Sequence, residues 1–66
     1  MIATVNGEPR ELREGSTVAD LLRDLALEGS GIAVAVNERV VRNAVLKEHT
    51  LRDGDVVEVI RAVAGG

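Results

Sequence analysis

The sequence predicts an α+β fold in which a mixed sheet of four to five strands packs on one main helix. Three observations in the 66 residues point to it. An Asn-Gly pair separates two short segments near the N-terminus, one amphipathic stripe follows a hydroxyl cap, and the second half alternates β-branched residues with small or polar ones. A lone amphipathic helix can bury its stripe only against one face of a sheet, so these segments must form two layers.

The elements follow in chain order. Met1 to Val5 reads as a strand, Asn6-Gly7 as a tight hairpin turn, and Pro9 to Arg13 as the partner strand. Pro9 lacks an N–H and so belongs on a sheet edge. Thr17 to Asp20 has the spacing of a capping box, and a helix is predicted from there to about Leu27, with Gly29 as its stop. Val18, Leu21, Leu22 and Leu25 form its apolar stripe. Ile32, Val34 and Val36 alternate with Ala33 and Ala35 as a strand. Asn37-Glu38 turns the chain into a short edge piece at Val40 and Val41. Asn43 to Thr50 reads either as loop or as one helical turn around Val45 and Leu46. Asp53-Gly54-Asp55 is a tight turn that opens a long final strand, Val56 to Val63. Alternation places Met1, Ala3, Val5, Leu12, Ile32, Val34, Val36, Val57 and Val59 toward the helix. Ile2, Thr4, Ala33, Ala35, Glu58 and Ile60 fall on the open face.

Composition narrows the function. The chain has no cysteine and no aromatic residue, so its core is aliphatic, and disulfides, thiolate metal sites and thiol nucleophiles are excluded. A net charge of −3 and the lack of aromatics argue against a nucleic-acid partner. No apolar run is long enough to span a membrane, and the expected location is cytoplasmic. Residues 1–66 read as a single domain.

No catalytic constellation emerges. Ser16 and Thr17 stand at a helix start, where hydroxyls cap, and Ser30 lies between glycines in a turn. His49 has no second histidine or cysteine with which to share a metal. Asp53-Gly54-Asp55 lacks the further ligands of a calcium loop, and no metal site is expected. Asp20, Asp24 and Glu28 form an acidic ridge at four-residue steps, which reads as a solvated face or as a steering surface for a basic partner.

The last residues, Ala64-Gly65-Gly66, carry a different signal. Two terminal glycines arise by chance in only ~0.5% of chains at average glycine usage. Without Cβ atoms, such a tail fits a channel too narrow for side chains. Its last three residues reach about 10 Å beyond the strand, which suits a flexible tail at 64–66. A free carboxylate at its tip is inert toward nucleophiles until a partner converts it to an activated acyl group, so the chain would present its own terminus as a substrate.

Several segments taken in order resemble the ubiquitin-like β-grasp sulfur carriers of the ThiS/MoaD family. They are Val5-Asn6-Gly7, Gly15 to Leu22, Ala33 to Asn37, and Leu51 to Asp55 followed by Ala64-Gly65-Gly66. The resemblance covers essentially the whole chain and is strongest to the carriers of thiamin biosynthesis. It implies that a ThiF-like adenylyltransferase uses ATP and magnesium to adenylate the Gly66 carboxylate. Sulfur from a donor such as a cysteine desulfurase then replaces AMP to give a thiocarboxylate, and thiazole synthase (ThiG) receives that sulfur. The carrier itself is not an enzyme and binds no cofactor. The resemblance also implies that both enzymes dock on the open face, where alternation puts Ile60, Glu58, Ala33 and Ala35. Family members often carry an aromatic where Ile60 stands, and many have Pro-Arg where this chain has Arg42-Asn43. Alternative readings are the small subunit of molybdopterin synthase, a carrier for another sulfur pathway, and a ubiquitin-like modifier or passive interaction domain.

Overall fold

The computed structural model describes residues 1–27 and 31–61. The described elements are β1 (Ile2–Val5), β2 (Glu8–Glu11), α1 (Val18–Asp24), β3 (Ile32–Val36), β4 (Arg39–Val41), a 3-10 turn (Asn43–Val45) and β5 (Val56–Arg61). The five strands form one mixed sheet in the order β2-β1-β5-β3-β4. β1 and β5 run parallel at its centre, and the remaining pairs are antiparallel.

Two turns of the same kind build the outer hairpins. Asn6 and Gly7 both have positive φ, as do Asn37 and Glu38. Two successive left-handed residues match the twist of the flanking strands, which is why Asn recurs at the first position. Pro9 lies in edge strand β2, where its missing N–H interrupts no ladder. Met1 and Leu12 extend this hairpin by one more pair, since Leu12 N–H donates to Met1 O at 2.7 Å and the Met1 amine donates to Leu12 O.

Thr17 caps α1 as expected. Its hydroxyl accepts from Asp20 N–H, and the Asp20 carboxylate accepts in return from Thr17 N–H at 3.0 Å. That backbone hydrogen bond is the main reason the Asp20 carboxyl titrates below the ordinary carboxylate range; burial opposes it, and the Thr17 hydroxyl and Arg23 add to it.

The helix ends earlier than the sequence reading places it. It stops at Asp24, not near Leu27, and Ala26 rather than Gly29 makes the stop. Gly29 itself lies outside the described residues. Ala26 adopts φ 57, Ala26 N–H donates to Arg23 O, and Leu27 N–H donates to Leu22 O at 2.8 Å. These two bonds form a Schellman ending. The reason is Leu27. Continued helix would turn it about 180° from Val18, out to solvent, at ~100° per residue. The left-handed step brings Leu27 back onto the core instead.

The core lies between α1 and one sheet face. Val18, Leu21 and Leu22 from the helix meet Ala3, Val5, Ile32, Val34, Val36, Val41 and Val57 from the strands, closed by Leu12 and Leu51. Met1 and Val59, expected inside, are only partly buried. Val41 and Leu51 join the core beyond the set read from alternation. Leu51 is held there because its N–H donates to Ser16 O at 2.8 Å and the neighbouring Thr50 bridges to Thr17. The final strand is described as far as Arg61, so the expected continuation to Val63 lies outside the described residues.

Ala26 carries a Cβ in a conformation that disfavours it. Ala26→Gly is therefore expected to stabilise the fold by about 0.5–1 kcal/mol, the left-handed penalty less the entropy glycine adds to the unfolded chain. A urea denaturation midpoint that falls would contradict the Schellman assignment.

Candidate functional site

The register of the sheet decides which side chains share its uncovered face. Thr4 pairs with Val56, Ala35 with Glu58, Ala33 with Ile60, and Ala35 again with Val40 on the other edge. Directly paired residues project to the same side. Ile2, Thr4, Val56, Glu58, Ile60, Ala33, Ala35 and Val40 therefore lie on the face opposite α1. Ile60, Glu58, Ala33 and Ala35, the residues singled out from sequence alternation, are brought together there as two adjacent rows on β5 and β3.

This face is unusually apolar for one left in water. Ile2 (52%), Val40 (75%), Val56 (46%) and Ile60 (59%) are all exposed and all on it. Ala33 and Ala35 have little bulk, so the surface between Ile60 and Val40 is shallow. Single exposed aliphatics are ordinary, whereas a group of them on one sheet face is less common on a surface left to water. Val56 and Val40 were not among the residues picked from sequence. Val56 could have been found, since it shares parity with Glu58 and Ile60.

The first part of β5 is fixed by side chains as well as by the ladder. Asn6 Oδ1 accepts from Val59 N–H at 2.8 Å, and Asn37 Oδ1 accepts from Val56 N–H at 2.9 Å. Asn37 Nδ2 donates to Asp55 Oδ1, and Asp55 Oδ2 accepts from Arg52 N–H at 2.8 Å. Asp53 Oδ1 accepts from Ile2 N–H at 2.7 Å. Both carboxylates of Asp53-Gly54-Asp55 are thus engaged in holding the start of β5 against β1 and the β3–β4 turn. That is a structural use of the pair.

Ser16 and Thr17 also have structural roles. Ser16 Oγ donates to Arg13 O at 2.7 Å, and Thr17 Oγ1 caps the helix. His49 is partly buried, with its backbone carbonyl accepting from Val18 N–H at 3.0 Å. The expected acidic ridge is not a free steering surface at its first member, because Asp20 closes the capping box and pairs with Arg23 at 3.3 Å. Glu28, Ser30 and the tail residues Ala64, Gly65 and Gly66 lie outside the described residues. Among the described residues no group of three His, Cys, Asp or Glu side chains could hold a metal ion. No described helix is long and apolar enough to cross a membrane.

Comparison with known proteins matches residues 3–66 to the model of the ThiS family. The sulfur carrier protein ThiS of Thermus thermophilus is 44% identical over 62 residues, covering 94% of this chain and 95% of that protein. A thiazole synthase of Paramagnetospirillum magneticum is 30% identical over 66 residues, which is all of this chain but 20% of that longer protein. Among solved structures, the crystal structure of the thiamine biosynthesis protein ThiS from Geobacter metallireducens superposes with a TM-score of 0.84. It is 32% identical and covers the whole of both chains. The shared architecture is the ubiquitin-like β-grasp.

The two sheet faces should respond differently to truncation. Ile60→Ser is expected to change stability by no more than about 0.5 kcal/mol, as for an ordinary surface site, whereas Leu51→Ala should cost ~2–5 kcal/mol. Equal losses in thermal or chemical denaturation would mean that Ile60 belongs to the core.

Proposed function

This chain belongs to the ThiS family, the sulfur carriers of thiamin biosynthesis, and from that premise we propose that the Gly66 carboxylate is the group on which it carries sulfur. The observation that carries this reading is the extent of the family match. It runs through residue 66 and so takes in Gly65-Gly66. The side chains support it by what they lack: the Ser16 and Thr17 hydroxyls and the Asp53 and Asp55 carboxylates are all occupied in holding backbone.

The chemistry follows from the carboxylate. As an anion it repels nucleophiles, and it has no leaving group. A ThiF-like adenylyltransferase, working in the cytoplasm with ATP and magnesium, joins the carboxylate to AMP and releases pyrophosphate. The acyl carbon of this mixed anhydride is electrophilic, with AMP as its leaving group. The terminal sulfur of a donor persulfide, such as that of a cysteine desulfurase, attacks the acyl carbon and displaces AMP, and a thiol reductant then cleaves the resulting acyl disulfide to leave the terminus as a thiocarboxylate. Its sulfur, more nucleophilic than the oxygen it replaces, is handed to thiazole synthase as the thiazole ring is built. Gly65 and Ala64 add little or no side-chain bulk, which lets the tip enter an enclosed active site.

Thiazole synthase is favoured as the acceptor because this chain aligns over its full length with a fifth of a protein of that name. A carrier segment covalently joined to its acceptor raises the effective concentration of the encounter. The open face, with Ile60, Glu58, Ala33 and Ala35, is the docking surface in this reading. The tail delivers the carboxylate while the sheet supplies recognition.

Incubation with the adenylyltransferase, ATP, magnesium, a sulfur donor and a thiol reductant should raise the intact mass by the difference between sulfur and oxygen. Deleting Gly66 should abolish the gain while leaving the thermal midpoint within about 1 °C, since the terminal residue adds little to the core. An unchanged mass for the full chain with active partners, or sulfur uptake by the truncated chain, would overturn the assignment.

A further inference from the structure

The open face carries charge of one sign. Register places each charged strand residue on one side of the sheet or the other. Arg10 pairs with Ala3, Arg39 with Val36, and Arg61 with Ile32. All three of those partners are buried beneath the helix, so the three guanidinium groups stand on the helix side, at the sheet's edges and at the end of β5. Glu11 pairs with exposed Ile2, and Glu58 pairs with Ala35, so these two carboxylates stand on the open side. Among the described strand residues, the open face thus has two carboxylates and no cation.

The two carboxylates are not equivalent. Glu11 is on edge strand β2, where any covering surface leaves it near water. Glu58 is on the central strand, with Val56 and Ile60 two residues to either side, Ala35 opposite, and Val40 beyond. Its neighbours along β5 and across on β3 are aliphatic, and the one ion pair among the described residues joins Arg23 to Asp20 on the helix. A protein surface laid across Ile60 and Val40 removes water from Glu58. A carboxylate desolvated without a partner is strongly unfavourable, and one met by a cation is not. The same carboxylate therefore rejects apolar or acidic surfaces that the aliphatic side chains alone would accept.

We propose that Glu58 is the specificity determinant of the open face, selecting a partner surface that is apolar but places one arginine or lysine opposite it. The inference rests on the reading that this face docks thiazole synthase, and the test separates the two. Binding to the thiazole synthase of the same organism is measured by titration calorimetry at low and high salt, for the natural chain and for Glu58→Gln, Ile60→Ser and Glu8→Gln. Glu8 pairs with Val5 on the helix side and controls for net charge. Each variant is first matched to the natural chain in thermal midpoint.

Glu58→Gln should weaken binding about tenfold or more and flatten its salt dependence, while Ile60→Ser also weakens it and Glu8→Gln leaves it unchanged. If Ile60→Ser weakens binding but Glu58→Gln binds as tightly as the natural chain with the same salt dependence, the proposal is overturned and the docking reading stands. An effect of Glu8→Gln as large as that of Glu58→Gln also overturns it, since net charge alone would then be responsible. If neither open-face variant alters binding, the docking reading itself fails.

Discussion

The structure depends on how β5 is held between two strands of opposite direction. Its parallel pairing with β1 extends over Thr4 and Val5 alone, after which β1 turns away at Asn6. On the other side, β3 pairs with it antiparallel over five positions. Two turn asparagines supplement these ladders. Asn6 receives the N–H of Val59 and Asn37 receives that of Val56. Each turn thus uses one residue type for two purposes. Asn tolerates the left-handed backbone the hairpin needs, and its side-chain oxygen satisfies a β5 donor near where the neighbouring strand ends. With β5 fixed, the alternation of Val57 and Val59 against Val56, Glu58 and Ile60 becomes a division between core and surface.

That division leaves one face of the sheet without a covering layer. One helix covers one face of the sheet, so the second face must be left to water or to another protein. In this chain it is largely aliphatic with a carboxylate near its centre, and among the described residues Ser16, Thr17, Asp20, Asp53 and Asp55 are engaged in capping and turn formation. The proposed function uses a surface and a terminus. A carrier needs little more, because the enzymes that activate and receive its cargo provide the reactive machinery.

Much of this was legible in the residues, for reasons that differ from element to element. Asn6-Gly7 fixed the first hairpin because turn chemistry is local, and Thr17 with Asp20 fixed the helix start for the same reason. The open-face grouping of Ile60, Glu58, Ala33 and Ala35 followed from the two-residue period of strands. The helix end is not legible from residue type, because Gly29 carries the usual stop signal while Ala26 makes the left-handed step that returns Leu27 to the core. Leu51 was missed because a Ser16 carbonyl distant in sequence holds it inward. The side-chain bonds of Asn6 and Asn37 to β5, of Asp53 to β1 and of Asn37 to Asp55 span 18 to 53 residues, and no local pattern announces them. The one-sided charge of the sheet needed the strand register, which hydrophobic alternation does not supply for exposed positions on edge strands.

In the proposed reading a sheet platform recognises while one terminal carbon carries sulfur, and fragmentation of the intact, sulfur-loaded protein in a mass spectrometer locates that sulfur. Every fragment containing Gly66 is expected to carry the sulfur-for-oxygen mass difference, and fragments ending at or before Gly65 none. A mass difference found on any fragment lacking Gly66 would contradict that reading.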